Sequence, residues 1–89
     1  MPTLHLLISG KVQGVFYRAS AKKTAIALSI NGWVRNKDNG DVEVLVTGTQ
    51  VQLKKFADWC RQGPAGALVT KMIETEQEET IFDSFSIRY

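Results

Sequence analysis

The chain has 89 residues with eleven Lys+Arg against nine Asp+Glu, a net charge of +2, so it lacks the strong basic footprint of a nucleic-acid binder. Its longest unbroken apolar run, Ala25-Ile26-Ala27-Leu28, is too short for a membrane span. One cysteine, Cys60, excludes an intrachain disulfide and cannot build a zinc site alone. Met1-Pro2-Thr3-Leu4 runs directly into an alternating pattern rather than a secretory leader. The expectation is a single domain over residues 1–89, cytoplasmic, with no Pro/Ser/Gly-rich linker or repeat to divide it.

From Thr3 to Ser9, Leu4, Leu6 and Ile8 alternate with Thr3, His5 and Ser9, the period of a half-buried strand. After Arg18, Ala21, Ala25 and Leu28 fall at i, i+4 and i+7 and predict a helix, with Ser20 as N-cap. Gly32 is read as ending that helix, and Trp33–Asn36 as the next strand. Asn39-Gly40 marks a hairpin turn. A two-residue loop would pair Asp38 with Asp41, two carboxylates face to face. A three-residue loop, Asp38-Asn39-Gly40 with Gly40 left-handed, pairs Lys37 with Asp41, Arg35 with Glu43, Val34 with Val44 and Trp33 with Leu45. Opposite charges then meet on one face and valines on the other, which selects this register. It puts Asn36 on the face of Val34, Val42 and Val44.

Leu53, Phe56, Ala57 and Cys60 form the apolar stripe of a second helix, stopped by Gly63-Pro64. A strand is predicted around 67–75, then an acidic turn carrying Glu74, Glu76, Glu78 and Glu79. Phe85, Ile87 and Tyr89 alternate in a last strand. The order β-α-β-β-α-β, plus a short terminal strand, predicts a ferredoxin-like α+β sandwich: an antiparallel sheet with two helices on one face. His5, Cys60, Trp59 and the lysine pairs Lys22-Lys23 and Lys54-Lys55 read as structural or surface residues.

Chemistry is concentrated between the first strand and first helix, in Gly10-Lys11-Val12-Gln13-Gly14-Val15-Phe16-Tyr17-Arg18. A glycine-punctuated loop entering a helix can point backbone N–H groups at an anion, and Arg18 can add a two-pronged contact. The segment is neither a Walker loop nor a dinucleotide fingerprint. Taken alone, it fits a tight connection as well as an anion cradle.

Gly10-x-Val12-Gln13-Gly14-Val15-x-Tyr17-Arg18, followed by Gly32-Trp33-Val34-Arg35-Asn36-x-x-x-Gly40-x-Val42-x-x-x-x-x-Gly48, resembles the two signature motifs of the acylphosphatases. The resemblance covers nearly the whole chain, with Lys37 and Ala65 as mild departures. It implies an enzyme that hydrolyses acyl phosphates to a carboxylate and inorganic phosphate. It further implies a phosphate cradle of Gln13, Gly14, Val15, Phe16, Tyr17 and Arg18, and a water oriented by Asn36. No metal or organic cofactor is implied, and the substrate's own phosphate would help to take the water's proton. Partners beyond the small acyl phosphate (nucleic acid, membrane, a second subunit) are not expected. Two rivals stand beside it. An RNA-binding module would carry stacking aromatics on the central strands, which Asp41–Val46 lacks. A non-catalytic anion-binding module would keep the cradle without turnover, and the presence of both Arg18 and Asn36 argues against it.

Overall fold

The computed structural model describes all of residues 1–89. Its elements are β1 (Thr3–Lys11), α1 (Tyr17–Ala27), β2 (Asn31–Asn36), β3 (Val42–Thr47), α2 (Gln50–Gln62), β4 (Leu68–Gln77) and β5 (Phe85–Arg88). The sheet order is β4-β1-β3-β2-β5. The first four strands in that order pair antiparallel, as expected for the sandwich, while β5 joins β2 in parallel and makes the whole sheet mixed.

One face of the sheet is dry. Leu6, Ile8, Val34, Val42, Val44 and Val46 are fully buried there, under Ala21 and Ala25 of α1 and Leu53, Phe56 and Cys60 of α2. Alternation in the strands and the i, i+3, i+4, i+7 stripe of α2 thus meet in one core. On the other face His5 and Arg35 both bond Glu43, at 2.7 and 2.5 Å. Burial alone would push the Glu43 carboxyl up, but those two partners outweigh it and hold it below the ordinary glutamate range. Cys60 is core: burial pushes its thiol up to about 12, leaving no reactive thiolate.

The hairpin adopts the three-residue loop. Arg35 faces Glu43, Val34 faces Val44 and Trp33 faces Leu45. Lys37 N–H donates to Asp41 O at 2.8 Å, and Gly40 is left-handed at φ 97°.

Four local expectations are corrected. The first helix starts at Tyr17, so Ser20 lies inside it and the N-cap is Phe16. Leu28 is correspondingly its C-cap rather than part of its stripe. Gly32 belongs to β2: a Cβ there would sit 1.9 Å from Leu45 O, so only glycine lets β2 and β3 approach. Glu74 and Glu76 lie within β4 rather than in a turn, because pairing with β1 carries that edge strand on to Gln77.

Candidate active site

The cradle loop opens where two strands part. β1 stays paired with β3 only as far as Ile8–Val42, and beyond it follows β4 alone through an irregularity at Ser9/Gly10. Residues 12–16 fill the resulting gap between β1 and the β2–β3 hairpin. Gln13 bridges it: its Nε2 donates to Lys37 O at 2.8 Å and to Asp41 O at 2.9 Å. Both amide hydrogens are thereby committed to the pair that closes the hairpin, one residue beyond Asn36. What Gln13 can offer an anion is its backbone.

Tyr17 anchors the other end of the loop. Its hydroxyl donates to Cys60 O at 2.7 Å, and its ring lies 5.4 Å from that of Trp59. The phenol is buried, and burial pushes its pKa up, so it serves as a fixed post rather than as an acid.

Between the two anchors the backbone curls. Gly14 has φ 74° and Phe16 φ 62°, so left-handed residues alternate through the loop, the pattern of an anion-binding nest. For Phe16 this costs roughly 1–2 kcal/mol, because a Cβ crowds its carbonyl in that region. The backbone N–H groups of Gly14, Val15, Phe16, Tyr17 and Arg18 donate to no protein acceptor; the first bonded amide is that of Ser20, which reaches Phe16 O at 3.0 Å. The N-cap offers no side-chain bond and the first turn of α1 holds no acidic residue. The helix therefore presents an uncompensated positive end.

A cavity of about 290 Å³ lies against this end, and Gln13, Gly14, Phe16, Tyr17, Arg18 and Asn36 all line it. Val15 does not; its side chain packs on the core. Arg18 pairs with no carboxylate, unlike Arg35 and Arg61, and keeps its charge free for a ligand. It rests against the chain end, with Nη1 3.4 Å from Arg88 O and the guanidinium carbon 4.9 Å from the Tyr89 ring centre. Asn36, projecting from the end of β2, has a buried Oδ1 without any hydrogen-bond partner. A larger groove, about 350 Å³, runs between α2 and β4. Its two cations are already paired, Lys54 and Arg61 on Asp58 and Arg61 on Glu74, and its one unpaired charge is the Glu76 carboxylate, so it offers no free cation to a phosphate.

The Acylphosphatase family model matches residues 4–87. The chain belongs to the acylphosphatase family. An acylphosphatase of Syntrophus aciditrophicus is 44% identical over 90 residues, covering 100% of this chain and 94% of the relative. That of Marinobacter nauticus is 47% identical over 76 residues, or 85% and 83% of the two chains. The crystal structure of the Bacillus subtilis acylphosphatase superposes with a TM-score of 0.96 at 32% identity, over 100% of both chains. Its Coxiella burnetii counterpart gives 0.95 at 36% identity, over 98% of this chain and 92% of the other. The fold expected from the order of elements is thus the acylphosphatase fold, and the activity is hydrolysis of acyl phosphates.

Sequence reasoning missed three features of the site. These are the left-handed N-cap at Phe16, the clamp from Gln13 to the hairpin, and the arrival of Ile87 and Tyr89 in the cavity. The clamp joins residues more than twenty positions apart, so no local pattern signals it.

Proposed function

We propose that the unpartnered backbone amides of Gln13–Arg18 and the Arg18 guanidinium hold the phosphate of an acyl phosphate, and that Asn36 orients the attacking water. The observation that carries this reading is Asn36, whose Oδ1 is a buried acceptor without a protein donor and which lines the same cavity as Gln13, Gly14, Phe16, Tyr17 and Arg18. A buried acceptor left unpaired costs about 1–3 kcal/mol, a cost that a bound water removes.

Each group then has one task. The backbone donors of the loop and Arg18 oppose the charge on the phosphoryl oxygens, which is where charge must be stabilised as phosphorus is attacked. Asn36 accepts one hydrogen of the water and aims its oxygen at phosphorus. The P–O bond to the acyl oxygen breaks and the carboxylate leaves, a weak base that needs no general acid. The water's proton passes to a phosphoryl oxygen of the substrate. No Asp, Glu or His lines the cavity to act as a side-chain base, which fits that route. Residues 1–89 would do this as one cytoplasmic, monomeric domain acting on small acyl phosphates.

Replacing Asn36 tests the division of labour. Asn36→Ala is expected to lower kcat by about 10²–10³-fold, as loss of one transition-state hydrogen bond does. Inhibition by inorganic phosphate is expected to stay within a few-fold, because the cradle is untouched. Near-normal kcat in a folded Asn36→Ala protein would remove Asn36 from the mechanism.

A further inference from the structure

We propose that Phe16, with Ile87 and Tyr89, forms a subsite for an apolar acyl group, aromatic acyl groups above all; the proposal rests on the reading of the adjoining loop as the phosphate site. The cradle accounts for the left-handed backbone at Phe16, but it does not account for the ring. Glycine or asparagine would make the same turn with less strain. The ring is also 83% exposed, so folding gains little from it. A strained position thus holds a large apolar side chain that neither the turn nor the core requires.

Its surroundings supply a use. Phe16 lines the cavity of Arg18 and Asn36, and so do half-buried Ile87 and fully exposed Tyr89. The cavity is therefore divided: donors and a guanidinium at the helix end, apolar side chains beside them. An acyl phosphate is divided in the same way, with its charge on phosphorus and its carbon skeleton beyond the anhydride. Arg18 is the one charged side chain in the lining. Once phosphate engages it, no cation in the lining remains for a carboxylate on the acyl group, and no acidic side chain lines the cavity for an ammonium. An apolar acyl group instead covers the Phe16 ring and removes both surfaces from water.

The test compares benzoyl phosphate with acetyl phosphate on the full-length protein and on Phe16→Asn and Phe16→Leu. Asparagine tolerates the left-handed backbone but removes the apolar surface; leucine keeps an apolar surface. The quantity read is the ratio of kcat/KM for benzoyl phosphate to that for acetyl phosphate, normalised to the unsubstituted protein so that intrinsic reactivity cancels. That ratio is expected to fall about tenfold or more in Phe16→Asn, the usual scale of a lost apolar contact. In Phe16→Leu it is expected to remain within about threefold of the starting value. An unchanged ratio in Phe16→Asn, or an equal fall in both variants, overturns the subsite. Inorganic phosphate, assayed as a competitive inhibitor of the unsubstituted protein, separates the two readings. If phosphate fails to compete with either substrate, the cradle itself is wrong; if it competes while the ratio is indifferent to Phe16, only the subsite fails.

Discussion

The two helices of this chain begin in opposite ways. At α2, Thr49 Oγ1 accepts from Gln52 N–H at 3.2 Å while Gln52 Oε1 accepts from Thr49 N–H at 2.8 Å, a complete capping box. At α1, Phe16 occupies the cap in a left-handed conformation, gives no side-chain bond, and leaves the amides of the entry loop without protein acceptors. The same four orphan donors arise at the start of any helix. One helix satisfies part of that demand from its own sequence and gains stability; the other leaves it open. An open helix start flanked by an unpaired arginine is a place where an anion binds more strongly than water does. On the proposed reading, strain and unsatisfied donors at α1 belong to the site, and the capping box at α2 to the fold.

Substitutions at the two starts are expected to separate along that line. The largest effect is expected at Arg18. Arg18→Gln removes a charge-assisted contact, costing about 1.5–3 kcal/mol in phosphate binding and lowering kcat as well. Arg18→Lys is expected to recover little, since a point charge does not reproduce the planar fork. Phosphate inhibition constants and kcat for the pair check this, and undiminished phosphate affinity in Arg18→Gln would remove Arg18 from the cradle.

Gly14 sharpens the comparison through the backbone alone. A Cβ at Gly14 meets no atom within 4 Å, so space is not the constraint; φ 74° is. Gly14→Val is expected to cost roughly 1–2 kcal/mol in holding the nest and to raise the phosphate inhibition constant at least several-fold. Gly14→Asn tolerates positive φ and is expected to lose clearly less. Equal losses in the two would mean that the side chain, not the backbone conformation, matters there.

Thr49→Ala is the control at the other helix, with the smallest expected effect on activity. Loss of the cap is expected to lower stability by about 0.5–2 kcal/mol, read by denaturant unfolding. kcat and phosphate inhibition are expected to be unchanged. A fall in phosphate affinity on Thr49→Ala would show that the two helix starts are not functionally distinct.

Much of this architecture is legible in the residues. The hairpin register follows from Asn39-Gly40 and from charge matching of Arg35 with Glu43, both local and strong. The α2 stripe and its Gly63 stop are equally direct, because one helix face and one terminator decide them. The start of α1 is not legible in that way. Ser20 is a good cap by type, yet the helix begins earlier because Tyr17 is pinned to Cys60 O, a contact across 43 residues of sequence. Gly32 misleads for a similar reason, since its function is the close approach to Leu45 of the neighbouring strand. Glu74 and Glu76 look like a turn by composition, but an exposed edge strand accepts charge freely and β1 dictates its length. At the site, Arg18 and Asn36 are singled out by the motifs and meet in one cavity, while the redirection of the Gln13 side chain depends on where β1 leaves β3.

The claim that α1, and not α2, is the anion-binding start can be read amide by amide. The direct measurement is a titration of ¹⁵N-labelled protein with inorganic phosphate, following backbone amide shifts. Saturable shifts at Gly14, Val15, Phe16, Tyr17 and Arg18, with Gln50, Val51, Gln52 and Leu53 unmoved, are the predicted result. Shifts of equal size at both helix starts, or none at Gly14–Arg18 under phosphate concentrations that inhibit turnover, would contradict it.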